Sequence, residues 1–339
     1  VKNISFFGLI FHAKLRHEIP YYSSQNNWTI FMSRTRHALF TLISMAALSA
    51  TTSAAQEYAD QAEIIEAQYD IESDGADRIR IAGQLRTLTQ QVAAASCALT
   101  SDIAVEEAHD VLEHATAQFD RYIVALKDGD EGLHILHPET RRLTIADIDH
   151  VREEWELIHG AIEAILADGH DVESAHIIDD HNLKLLELTS ILSSDISSQY
   201  THPFEISAAD AMMIEIAGRQ RMLTQKMAKD ACEIWTGYHA EEAKEDLEQT
   251  MKIFETSLRA LRFGMPEAGI QEAPNAAIRE DLDHLLERWE TIKVNEQILV
   301  DGGTLNDEQK TEIFHDLEVE LAELDHLLLD YKEYAERAH

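Results

Sequence analysis

One segment of this chain occurs twice, and the recurrence limits the possible folds more than any other feature. Ile81, Ala82, Gly83, Gln84, Leu85, Arg86, Thr87, Leu88, Thr89 and Gln90 fall on Ile216, Ala217, Gly218, Arg219, Gln220, Arg221, Met222, Leu223, Thr224 and Gln225 at an offset of about 135 residues. The same offset lays Cys97 on Cys232, Phe119 on Phe254 and Leu126 on Leu261. With one residue of slippage, Glu154, Trp155 and Glu156 approach Arg288, Trp289 and Glu290. The chain therefore holds two copies of one structural unit.

Within a copy, apolar residues recur at spacings of three and four, as in Leu85, Leu88, Val92, Ala95 and Leu99, which is the core-facing stripe of a helix. Helix ends are marked by Asp128-Gly129, Gly132, Asp168-Gly169 and His202-Pro203, and in the second copy by Gly264-Met265-Pro266, Pro274 and Asp301-Gly302-Gly303. These signals predict helices over roughly 76–100, 102–127, 143–167 and 171–200, then 208–236, 240–263, 275–300 and 306–337. Only 13 Gly and 5 Pro occur in 339 residues, too few turn-formers for a sandwich, a barrel or a doubly wound sheet. The expected class is all-α: two tandem antiparallel four-helix bundles forming a pseudo-two-fold pair, with their first helices parallel.

The N-terminus reads differently. Met32 opens a basic stretch with Arg34 and Arg36, an apolar run from Ala38 to Leu48 follows, and small residues end at Ser53, Ala54 and Ala55. That order is a signal peptide. The expected organisation is a mis-assigned upstream extension over 1–31, a cleaved signal peptide over 32–55, a first four-helix module over 56–202 and a second over 203–339. No later segment approaches the apolar length of a membrane span, so the mature chain is expected in the periplasm without a transmembrane segment. With 63 acidic against 28 basic side chains and a net charge of -35, a nucleic-acid partner is excluded.

A second face of the first helix carries more than packing. Steps of four, three and four residues link Ala82, Arg86, Thr89, Ala93 and then Cys97, and in the second copy Ala217, Arg221, Thr224, Ala228 and then Cys232. Small side chains allow close backbone approach, so this face suits an interface between the two first helices, with one guanidinium from each copy in it. Two facing guanidiniums repel, and burying them unpaired is unfavourable. A small planar oxyanion between them would relieve both, because guanidinium donors grip its oxygens in a fork. The alternative is that each arginine pairs with a carboxylate of a neighbouring helix. Across a parallel pair Cys97 and Cys232 would face each other, giving a disulfide or, alternatively, two buried thiols.

The run from Ala217 to Ala228, Ala-Gly-Arg-Gln-Arg-Met-Leu-Thr-Gln-Lys-Met-Ala, resembles the signature of the type IV pili methyl-accepting chemotaxis transducer N-terminal domain, a periplasmic sensing module related to the sensors of nitrate/nitrite-sensing histidine kinases. The resemblance is tight over about 20 residues of the second copy and loose over the rest of both. It implies a four-helix sensor in which a Gly-x-x-Arg-Met segment supplies a ligand-contacting arginine across a dimer axis. Gly218, Arg221 and Met222 match that segment. In the first copy Gly83 and Arg86 match, while Thr87 replaces the Met, Gln84 replaces Arg219 and Gln91 replaces Lys226. The expected ligand-binding set is Arg86, Arg221, Gly83, Gly218, Thr89, Thr224 and Arg219, for a small anion. No cofactor is expected, and the expected partner is a membrane-bound receptor or histidine kinase, since the receptors of this kind continue into a membrane helix and the chain stops at His339.

Other patterns weigh less. Glu-x-x-His occurs at Glu106/His109, Glu131/His134, Glu156/His159, Glu173/His176, Glu312/His315 and Glu323/His326, the spacing of di-iron bundles. None recurs at the repeat offset, so a di-iron-like or other metal-binding bundle is the alternative function, with a structural adaptor as a third. His176 to His181 reads as a solvated helix face. No nucleophile elbow, phosphate loop or dinucleotide fingerprint occurs, so no enzyme is expected.

Overall fold

The computed structural model describes residues 74–200 and 207–337, all within one compact unit. The expected extension and signal peptide over 1–55 lie outside the described residues. Among the described residues eight α-helices follow in order. Helix α1 is described over residues 74–100, followed by α2 (Val105–Asp128), α3 (Arg142–Asp168), α4 (Val172–Tyr200), α5 (Ala208–Thr236), α6 (Ala240–Phe263), α7 (Ala276–Val300) and α8 (Asp307–Arg337). In the second bundle α5 packs on α6 and α8, and α7 bridges those two, an up-down-up-down ring. In the first, α3 packs on α2 and α4. Helix α1 closes that ring: its Gln90 side chain donates to Asn182 Oδ1 of α4 at 2.8 Å, and Arg78 donates to the Leu126 carbonyl of α2 at 3.1 Å. No helix among the described residues is long and apolar enough to cross a membrane.

Local chemistry explains where the helices begin and end. Ser207, Asn275 and Asn306 accept from the backbone N–H three residues on, and Gln309 returns a bond to the Asn306 N–H, completing a capping box. Helices α2 and α6 start later than the expected 102 and as expected at 240. Each is preceded by a left-handed non-glycine residue, Ala104 (φ 47°) and His239 (φ 50°), at equivalent places in the repeat. The links after α2 and α6 hold more order than glycine punctuation alone predicts. Asp130 bridges Ile135 in the first copy, and in the second β1 (Gly264–Met265) pairs antiparallel with β2 (Ile270–Glu272), Met265 opposite Ile270. Gly264 makes this turn feasible: its φ is 79°, and a Cβ would lie 3.0 Å from the Glu272 nitrogen.

The aromatic anchors repeat in detail. Phe119 stacks on Trp155 at 3.9 Å, and the indole donates to Asp120 at 2.7 Å; Phe254 tilts against Trp289 at 4.9 Å, and that indole donates to Glu255 at 3.2 Å. The two cores differ in polarity. Ala95, Ile162 and Leu185 of the first bundle are replaced at equivalent buried places in the second by Asp230, Glu296 and Glu320. Glu320 receives Arg288 at 3.2 Å, whereas both carboxylate oxygens of Glu296 are enclosed without a hydrogen bond. Burial raises Glu296 and Glu320 to about 8 each.

Because these carboxyls sit above their ordinary range of about 4.5 in the folded chain, the stability they allow is fully present below that value and is lost as pH rises through about 8. The melting temperature should therefore fall between about pH 5 and pH 9. Glu296→Gln should flatten the slope. A slope identical in Glu296→Gln and the parent chain would show that Glu296 does not hold its proton.

Candidate functional site

The small-residue faces of α1 and α5 are buried. Ala82, Thr89 and Ala93 on α1 and Ala217, Thr224 and Ala228 on α5 are each at most 4% exposed. The two helices are covalently joined at one end, where Cys97 and Cys232 form a disulfide with S–S 2.05 Å and Cα–Cα 6.2 Å. At this point equivalent residues of the two copies face each other, as a pseudo-two-fold axis requires. Ser101 Oγ lies 3.9 Å from Cys232 Sγ. Further along, Gln91 of α1 donates to Glu318 of α8 at 2.9 Å.

Three turns from the disulfide the same faces carry arginines. Arg221 is buried and its Nε is ion-paired with Asp325 on α8. Burial nonetheless pulls its guanidinium below the usual arginine range, with Asp325 opposing. Arg86 is placed differently. The Nε of each arginine is enclosed without a hydrogen-bond partner, but no carboxylate among the described residues lies within ion-pair distance of Arg86. Burial lowers the Arg86 pKa, and the like charges of Arg219 and Arg221 push it the same way, with Glu215 opposing. The α4 position equivalent to Asp325 is Ser190, which explains why one arginine has a carboxylate and the other does not. Arg219 donates to Glu215 at 3.2 Å, and Arg80, which acts on Arg221 as a like charge, bonds Asp77 at 3.0 Å. Four guanidiniums are thus grouped here in a strongly acidic chain.

The remaining expected site residues have narrower roles. The hydroxyls of Thr89 and Thr224 each donate to a carbonyl one turn back, Leu85 and Gln220, both at 2.8 Å. Their hydrogens are committed, so they can only accept. A Cβ on Gly83 would meet Arg86 Nη2 at 3.8 Å and one on Gly218 would meet Leu328 at 3.9 Å, both ordinary contacts. Neither glycine is demanded by crowding in this arrangement.

The six Glu-x-x-His pairs do not converge on one bundle core. His159 contacts Asp120 at 3.2 Å, His315 contacts Glu107 at 3.0 Å and His176 stacks on Tyr238. Among the described residues, the group with metal-ligand spacing is Asp281, His326 and Asp330, whose ligand atoms lie within 4.8 Å of one another between α7 and α8. Asp281 and Asp330 have repeat equivalents in Asp147 and Asp195. In both pairs burial raises the first carboxyl and its neighbour raises it further. Sequence reasoning missed these pairs, although the repeat offset exposes them.

A family profile described as type IV pili methyl-accepting chemotaxis transducer N-terminal matches residues 69–180 and again 204–314, well over half of the chain. Comparison with curated proteins gives no match.

The disulfide closes a loop of 135 residues, so reducing it should lower the stability of the chain by about 2–4 kcal/mol. Urea unfolding with and without a phosphine reductant measures this. Coincident curves, with the thiols shown to be free, would mean that the small-residue faces hold the two copies together unaided.

Proposed function

The chain belongs to the type IV pili methyl-accepting chemotaxis transducer N-terminal family, a non-catalytic signalling family, and from that premise we propose that it is an exported sensor that binds a small planar oxyanion between α1 and α5. One observation carries the reading: Arg86 is half-buried beside two other guanidiniums, its Nε enclosed, with no carboxylate among the described residues in ion-pair reach. A site built this way is unfavourable when empty and is relieved by one anion. Nitrate, nitrite and small carboxylates have the planar oxygens that a guanidinium fork accepts. Arg86 is the principal donor, Arg219 and Arg221 border the ligand, and Thr89 and Thr224 line the helix contact. The overall negative charge repels anions at long range, so selectivity rests on desolvated contacts rather than on steering.

Asp325 supplies the switch. It holds Arg221, so an anion that recruits Arg221 must draw it from α8. The ligand then has different affinity for two arrangements of the helices, which any two-state response requires. The tandem copies form within one chain the pair that related receptors form from two subunits. The signal peptide over 32–55 and the disulfide both suit an oxidising periplasm, and the receiver of the signal is a membrane-bound receptor or histidine kinase.

Calorimetry with sodium nitrate, nitrite and acetate tests the reading. Arg86→Ala should abolish saturable binding, and Arg221→Ala should lose about 1.5–3 kcal/mol of it. Asp325→Asn frees Arg221 and should tighten binding. Unchanged affinity in Arg86→Ala, or weaker binding in Asp325→Asn, would contradict the assignment.

A further inference from the structure

A cavity of about 380 Å³ opens beside the disulfide, on the α1–α5 seam but away from the arginines. Both copies build it, with α1 and α4 from the first and α5 and α8 from the second. Its volume falls in the range of small-molecule sites. The charges on its wall balance: Asp179 and Glu233 stand against Lys229 and Lys310, with Lys229 3.8 Å from Asp179 and ion-paired with Glu233. An occupant is therefore selected by something other than charge.

Two features of the lining are left over once those pairs are made. The first is the disulfide, whose two ends are unequally placed. Cys97 is half-buried and lines the cavity, whereas Cys232 is 1% exposed. In thiol–disulfide exchange the attacking sulfur must reach one sulfur from the side opposite the bond that breaks, so access decides which end is attacked. Cys97 is the end that can be reached. Ser101 Oγ lies 3.9 Å from Cys232 Sγ and 2.6 Å from the Cys97 carbonyl oxygen, so its hydrogen can turn from that carbonyl to the Cys232 sulfur as that sulfur leaves. The second feature is Trp235, which lines the same cavity with its Nε1–H enclosed and lacking an acceptor. An oxygen on the occupant would satisfy it.

We propose that Cys97 is a thiolation site, at which a small thiol bearing an oxygen acceptor and no other charge opens the covalent join between the copies. The thiolate sulfur of the compound bonds to Cys97 Sγ. The bond to Cys232 breaks, and its electron pair leaves on Cys232 Sγ, which takes up a proton. The oxygen of the compound accepts from Trp235 Nε1. A second molecule of the thiol then attacks the sulfur of the first, releasing the Cys97 thiolate, which takes up a proton, and a small disulfide. Two thiols are thus oxidised for one protein disulfide reduced. The stack of His176 on Tyr238 at 3.7 Å and the contact of Lys229 with Asp179 still span the seam afterwards, so the copies lose their covalent restraint without coming apart. Nothing in this chemistry depends on an anion at Arg86.

The test treats the full chain, its disulfide intact, with 2-mercaptoethanol, traps free thiols with N-ethylmaleimide and counts them by mass spectrometry. Reduction of the folded chain should rise in proportion to thiol concentration and stay nearly constant through urea concentrations too low to unfold it. Single-cysteine variants, shown to fold by far-UV circular dichroism, locate the attack. In Cys232→Ser the Cys97 thiol should form a mixed disulfide with 2-hydroxyethyl disulfide within about tenfold of its rate in denaturing urea, and in Cys97→Ser the Cys232 thiol should react at least about a hundredfold more slowly than Cys97. Adding Trp235→Phe to Cys232→Ser removes the enclosed donor and should slow the Cys97 reaction about threefold. The proposal is overturned if reduction levels off at the unfolding rate or climbs with urea as unfolding does, or if Cys232 reacts as fast as Cys97. A Cys97 rate unchanged by Trp235→Phe would overturn the place assigned to the oxygen.

Discussion

The structure depends on two equivalent helices lying side by side along faces of alanine, threonine and cysteine. Where α1 and α5 approach, equivalent residues of the two copies become neighbours. The disulfide between Cys97 and Cys232 follows, as does the grouping of Arg86 with Arg221. Close packing brings like charges into a region that excludes water, which is unfavourable until something neutralises them. The chain solves this for one arginine and leaves it unsolved for the other. Asp325 pairs with Arg221, and Ser190 at the equivalent place on α4 leaves Arg86 without a carboxylate. Duplication followed by this single departure converts a symmetric packing problem into a site with one committed and one available guanidinium.

Much of this was legible in the residues themselves. Three-and-four spacing and glycine punctuation located the helices, because helix period and chain reversal are local properties. The offset located Cys97 opposite Cys232, because repeat symmetry turns sequence equivalence into spatial proximity. The distribution of polar groups in the second core was harder to see. Glu296 sits one turn beyond Ile292 on the buried stripe that continues to Leu299, so the register did mark it, but a glutamate in so acidic a chain reads as solvent-facing. The cavity beside the disulfide was not legible at all. It joins Asp179 and His176 of α4 to Glu233 and Trp235 of α5, residues far apart in sequence that only the docking of the two bundles brings together. The pairing of Arg221 with Asp325 was open for the same reason, since no local rule specifies which α8 carboxylate a helix arginine reaches.

Guanidiniums gather at one end of the seam between the copies, and the disulfide joins the other. The disulfide limits how far the helices can separate at its own end and leaves the arginine end freer to adjust. A ligand that changes the distance between α1 and α5 can therefore act as on a hinged pair rather than on two independent bundles. Family membership as a signalling domain agrees with that mechanical arrangement, in which a small local charge change biases the placement of long helices.

The central claim is that the Arg86 guanidinium is the group that meets the anion. The most direct measurement is the Nε–H resonance of that side chain in a 15N-labelled chain, assigned with Arg86→Lys and followed while sodium nitrate, nitrite or acetate is added against a sodium chloride reference. The account predicts that one of these anions shifts the Arg86 resonance saturably and slows its exchange with water, as an enclosed donor gaining an acceptor must. A resonance that stays in place while another arginine responds, or while none does, would contradict it.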